Sequence, residues 1–74
     1  MTIRLRIVKD NKAILEGHYE VAGAESFGQA CADMFSQLRS KELVETTSVG
    51  AMMDRLDLGV LDILDGATLS ITKV

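Results

Sequence analysis

Phe27, Ala30, Cys31, Met34 and Leu38 fall at i, i+3, i+4, i+7 and i+11, one stripe of a 3.6-residue helix. Nothing else in the chain constrains it as tightly, because such a stripe must be buried against an apolar partner. Ser26 with Gln29 three residues on has the form of a capping box, Ser26 accepting the N–H of Gln29 and Gln29 reaching back. Glu25 suits the positive end of the helix dipole, and Arg39 and Lys41 suit the negative end. A helix over residues 26–40 is expected, with Phe27 and Leu38 as core anchors. Gly28 would let it approach its partner closely. Phe35 lies about 80° round from Phe27, at the edge of the stripe, and needs cover from another element.

The partner is legible upstream. Ile3, Leu5 and Ile7 alternate with Thr2, Arg4, Arg6 and Val8, and Leu15, Tyr19 and Val21 alternate with Ile14, Glu16, His18 and Glu20. A three-residue loop, Asp10-Asn11-Lys12, sets Ile7 against Leu15, Ile3 against Tyr19, Arg6 against Glu16 and Arg4 against His18. A two-residue turn carried through the same strands would oppose core and charged positions. The expected loop is a type I turn closed by a left-handed residue.

Downstream, Ser48 reads as the N-cap of a second helix carrying Val49, Met52, Met53 and Leu56, closed near Leu58 by Gly59 in the left-handed conformation. An irregular turn over 60–65 follows. Ala67, Leu69 and Ile71 then alternate with Thr68, Ser70 and Thr72 as a last strand. A hairpin through Asp65-Gly66 is the rival, and it mixes faces by setting Asp62 against Leu69.

The expected fold is α+β, a two-layer α/β sandwich of β-hairpin, helix, short helix and strand (ββααβ). Its three-stranded mixed sheet has order 2-1-3, the last strand parallel to the first by a right-handed crossover. In outline this resembles β-grasp domains, a likeness of shape alone.

With 74 residues, 47% apolar and 26% charged, the chain is expected to form one small globular domain over 1–74. No apolar run approaches the roughly 20 residues that span a bilayer. The start, Met-Thr-Ile-Arg-Leu-Arg-Ile-Val, lacks the uninterrupted apolar centre of a signal peptide, so a cytoplasmic protein is expected. Net charge is −3, and acidic groups outnumber basic ones after residue 22. That argues against broad binding to nucleic acid or anionic membrane. The basic hairpin residues Arg4, Arg6, Lys9 and Lys12 are diluted by Asp10, Glu16 and Glu20.

Catalytic material is thin. Nucleophilic catalysis needs a nucleophile and a base within reach. Cys31 belongs to the core stripe, whereas His18, the one imidazole, belongs to the polar sheet face. One His and one Cys cannot build a zinc site, and no cofactor motif occurs. Asp54, Asp57, Asp62 and Asp65 form an acidic segment that also holds Leu58 and Leu61. Its spacing matches no calcium loop. A solvated helix face is the default for the aspartates, and a protein-contact patch is the sharper reading if the leucines stay exposed. Arg4, Arg6 and His18, with Val8 opposite Ile14 as a small apolar spot, make a second candidate surface.

The resulting expectation is a small acidic non-enzymatic protein-binding domain, an inhibitor or adaptor of a larger cytosolic protein or complex. Phage and mobile-element inhibitors, anti-CRISPR proteins among them, share this size and charge, which is a class likeness only. The alternative is a homo-oligomeric structural protein using an exposed sheet edge or apolar spots. A metal-binding or catalytic mini-domain built on the aspartates is the third reading.

Overall fold

The computed structural model of the chain describes residues 1–42, 48–59, 62–64 and 66–74. Among these described residues six elements follow in order: β1 (Thr2–Lys9), β2 (Lys12–Glu20), α1 (Ala24–Ser40), α2 (Val49–Asp57), β3 (Asp62–Leu64) and β4 (Ala67–Lys73). The strands form one antiparallel sheet in the order β2-β1-β4-β3, with α1 lying against β2 and α2 against α1 and β3.

The hairpin adopts the expected register from Ile3 opposite Tyr19 to Ile7 opposite Leu15, so Arg6 meets Glu16 and Arg4 meets His18. Its loop differs from expectation. Asp10 (φ 53°) and Asn11 (φ 64°) are both left-handed, the two-residue turn whose twist matches that of the flanking strands. Asp and Asn tolerate that conformation better than other side chains. Register shifts between Ile7 and Val8, so that Val8 faces Ala13 and Ile14 is left over as a bulge. The bulge reconciles a tight turn with a register that keeps apolar against apolar. Ile14 therefore does not oppose Val8 on the polar face as expected. It packs beside Leu15 against the core.

The last strand runs antiparallel to the first, Ile3 opposite Lys73 and Val8 opposite Thr68, not parallel to it. The order of the three long strands is as expected, but the sheet is not mixed, and the β-grasp-like outline falls with its parallel crossover. Residues 62–64 form β3 where an irregular turn was expected, and the chain reverses through Gly66 (φ 77°) into β4. The objection to this hairpin was that it mixes faces. A bulge in β3 removes it: Leu64 faces Ala67, but Asp62 is displaced to face Thr68. Ala67 and Leu69 are thereby buried while Thr68 stays exposed.

Helix α1 begins earlier than the capping-box reading implies. Gly23 is the N-cap, and Ser26 sits at the third helical position. The Ser26 hydroxyl accepts the N–H groups of Ala22 (2.7 Å) and Gly23 (3.1 Å), which precede it, in place of the expected Gln29 N–H, which follows it. Along the stripe Ala30, Cys31, Met34 and Leu38 are buried as expected. Phe35 is fully buried and Phe27 only half-buried. The cover Phe35 required is supplied by α2, whose Met52 joins the same buried cluster. Gly28 has open space where a Cβ would stand, so it serves no close approach.

Phe35, not Phe27, is thus the aromatic anchor. Phe35→Ala should destabilise the fold by about 3–5 kcal/mol, the range for a fully buried aromatic. Phe27→Ala should cost clearly less. Urea denaturation of the two variants checks the order, and equal losses would contradict the placement of α2.

Candidate protein-contact surfaces

The acidic segment is built by α2 and its exit. Ser48 caps the helix, its hydroxyl accepting the N–H of Ala51 at 3.1 Å, and Gly59 (φ 78°) follows the C-cap Leu58, both as expected. Met52 points into the core, with Val49, Met53 and Leu56 packed partly against it. The opposite side of the last turns carries Asp54 and Asp57, both exposed. Leu58 is 81% exposed, the largest value for a big apolar side chain among the described residues. Asp62 is exposed on β3, where its carbonyl accepts Nε of Arg55 at 2.7 Å. Leu61 and Asp65, the other two residues of the expected patch, lie outside the described residues.

The charges on α2 oppose its dipole. A helix favours carboxylates at its N-terminus and cations at its C-terminus. Here the first turn has no acidic residue, while Asp54 and Asp57 sit toward the negative end, with Arg55 as the one base in the last turn. Helix stability does not account for that placement.

The second candidate surface is the sheet face turned away from the helices. Arg4 and Arg6 converge on Oε1 of Glu16, at 3.4 and 2.9 Å. The Arg6 hydrogen bond is the main reason the Glu16 carboxyl is held below its ordinary pKa. Nε of Arg6 is shielded from solvent and makes no hydrogen bond among the described residues. His18 is exposed opposite Arg4, and Thr68, Ser70 and Thr72 continue the polar rows across β4. With Ile14 gone to the core side, the apolar spot near the hairpin tip reduces to the half-buried Val8.

Cys31 is fully buried under α1, and burial pushes its thiol up to about 11. The sheet separates it from His18, so the two form no nucleophile–base pair. Among the described residues, no three His, Cys, Asp or Glu side chains come together in a way that could hold a metal ion, and no helix is long and apolar enough to cross a membrane.

Two features went unread in the sequence. Phe27 stands over an open groove of about 450 Å³, lined also by Met1, Ile3, Val21, Ile71 and Lys73. The other is a polar clamp between β2 and α1. The Tyr19 hydroxyl donates to Oδ2 of Asp33 at 2.8 Å, and Nε2 of Gln37 donates to the same oxygen at 2.9 Å. Gly17 makes this possible, since a Cβ there would lie 2.8 Å from the Tyr19 ring and 3.1 Å from the Met34 methyl. A glycine inside a core-facing row is the available signal for such a close approach.

No family model, curated protein or solved structure matches the chain.

Burial, and next the Asp33 hydrogen bond and charge, raise the Tyr19 hydroxyl from 10.0 to about 12. The fold holds the neutral form, so this contribution to stability is full below about pH 10 and is lost as pH rises toward 12. Tyr19 is the one tyrosine in the chain. An alkaline absorbance titration of the folded protein should give a midpoint near 12, and Asp33→Asn should lower it. A wild-type midpoint near 10 would contradict the clamp.

Proposed function

We propose that this chain is a small non-enzymatic protein-binding domain, an inhibitor or adaptor that acts on a larger cytosolic protein through the end of α2. The observation that carries the reading is Leu58, 81% exposed and flanked by Asp54 and Asp57. An exposed leucine set among carboxylates that work against their own helix is a combination that folding does not require. Binding uses both parts. The aspartates speed encounter with a basic surface, and the leucine is desolvated in a pocket on the partner and slows escape.

The partner this chemistry fits has an apolar pocket rimmed by lysine or arginine. Charge at the rim acts mainly on association and is screened by salt, whereas the buried leucine acts mainly on dissociation. The default reading of each residue, a solvated aspartate or a stray surface leucine, predicts no such division.

The test compares wild type with Asp54→Lys/Asp57→Lys and with Leu58→Ala. The wild type first captures its partner from the native host, and surface plasmon resonance then measures all three against the isolated partner. The lysine pair should slow association at least tenfold at low salt, with the difference shrinking as salt rises. It should leave the melting temperature unchanged or higher, because the dipole conflict is removed. Leu58→Ala should raise the dissociation rate at least tenfold without unfolding the domain. Unchanged binding by both variants would place the contact elsewhere.

A further inference from the structure

The two edges of the sheet are treated differently. The β3 edge is three residues long, and the carbonyl of Asp62 is taken by Arg55. Short length and a covering side chain are ordinary ways of closing an edge. The β2 edge runs nine residues, from Lys12 to Glu20, and has neither device.

Which backbone groups it presents follows from the ladder. Met1 and Val21 exchange both of their hydrogen bonds, Val21 N–H to Met1 O at 2.8 Å and the Met1 amine to Val21 O at 3.1 Å. Bonded and non-bonded pairs alternate along an antiparallel ladder. The register is continuous from Thr2 to Ile7, so Tyr19, Gly17 and Leu15 point their N–H and C=O groups at β1. Glu20, His18 and Glu16 therefore point theirs outward. The Thr2 carbonyl accepts Val74 N–H at 3.0 Å, which fits this phase, since Thr2, opposite Glu20, must turn its own groups toward β4. No backbone–backbone bond beyond those of the ladder, and no side-chain bond, reaches the main chain of residues 12–20 among the described residues.

Carboxylates often guard such an edge, but here both lean back over β1. Glu16 sits on Arg6 and Arg4, while Glu20 accepts from the Thr2 hydroxyl at 2.6 Å and the Met1 amine at 2.7 Å.

We infer that β2 pairs antiparallel with β2 of a second copy of this chain, about a twofold axis at Gly17. Charge selects the occupant, and charge with the free Glu16 oxygen selects the register. About Tyr19, His18 would also oppose Glu20, but both Glu20 oxygens are already taken by Met1 and Thr2. An axis at Glu16 sets the two Glu16 residues against each other, and an axis at His18 sets Glu16 against Glu20, in both cases like charges face to face. An axis at Gly17 sets Glu16 against His18 twice, each pair exchanging both backbone bonds, and sets Leu15 against Tyr19 on the helix side. Both arginine contacts use Oε1 of Glu16, so Oε2 is the oxygen placed to accept from His18 of the second copy. The result is a continuous eight-stranded sheet, two of the four-stranded sheets joined edge to edge, with the α2 surfaces at its far ends.

The experiment measures sedimentation velocity over a concentration series, together with amide hydrogen exchange at its two extremes. The chain should dimerise as concentration rises. The Glu16 and His18 amides should exchange at least tenfold more slowly in the dimer, while Gly17 and Tyr19, already bonded to β1, change little. His18→Pro removes an outward N–H and should leave a folded monomer, because edge strands tolerate proline at such a position. His18→Asp, which needs no special backbone, should weaken dimerisation at least tenfold by opposing carboxylates. Persistence of the dimer in either folded variant overturns the proposal. A wild-type chain that stays monomeric, with Glu16 and His18 exchanging freely throughout, also overturns it and leaves the edge to an extended strand of another protein.

Discussion

The alternation of Ile3, Leu5 and Ile7 along β1 is the constraint on which the remaining structure depends. All three are buried on one side, and the strand is hydrogen-bonded along both of its edges, to β2 and to β4. That arrangement leaves β1 no freedom of register: a slip of one residue would carry Arg4 and Arg6 into the core. Leu69 of β4, opposite Ile7, extends that face, and the helix stripe and Met52 close over it. Thr2, Arg4 and Arg6 are committed to the opposite face, where the two arginines hold Glu16.

How far this is legible in the sequence depends on whether period or local geometry decides. Period decides the strand faces and the buried run from Ala30 to Leu38. Residue type decides the α2 caps at Ser48 and Gly59, where period alone would carry the helix further. The departures are one-residue effects. The bulges at Ile14 and near Asp62 each add a residue to one strand, and each resolves a conflict that a uniform register cannot. A regular ladder through Asp65-Gly66 mixes faces, and without that hairpin a last strand arriving from a helix joins the sheet parallel to β1. Phe27 and Phe35 exchange roles for a different reason: both lie near the stripe, and only the position of α2 determines which is covered. The exposure of Leu58 is not set by where the helix ends: a helix closing at Gly59 leaves the leucine free to turn inward, and here it stays exposed. The Tyr19–Asp33–Gln37 clamp joins residues far apart in the chain, with Gly17 as its one local sign.

The fold places the two proposed contact features far apart. The α2 end lies with β3 at one side of the sheet, and the β2 edge lies at the other. A chain that pairs through β2 would present two acidic leucine-bearing helix ends at once. Such bivalency raises the effective concentration at the second site wherever the target also carries two sites.

Both surfaces hang on β4 pairing with β1, here antiparallel, because that pairing puts the β3 hairpin and α2 on the side opposite β2. The most direct measurement is the pattern of cross-strand Hα–Hα contacts in an NMR spectrum. Thr2 is bonded to Val74, so the alternation makes Leu5 and Ile71 a closely spaced non-bonded pair. A strong Hα–Hα contact between Leu5 and Ile71, with another between Ile7 and Leu69, is the expected result. Their absence, with contacts that advance in the same direction along both strands, would show a parallel pair and contradict the account.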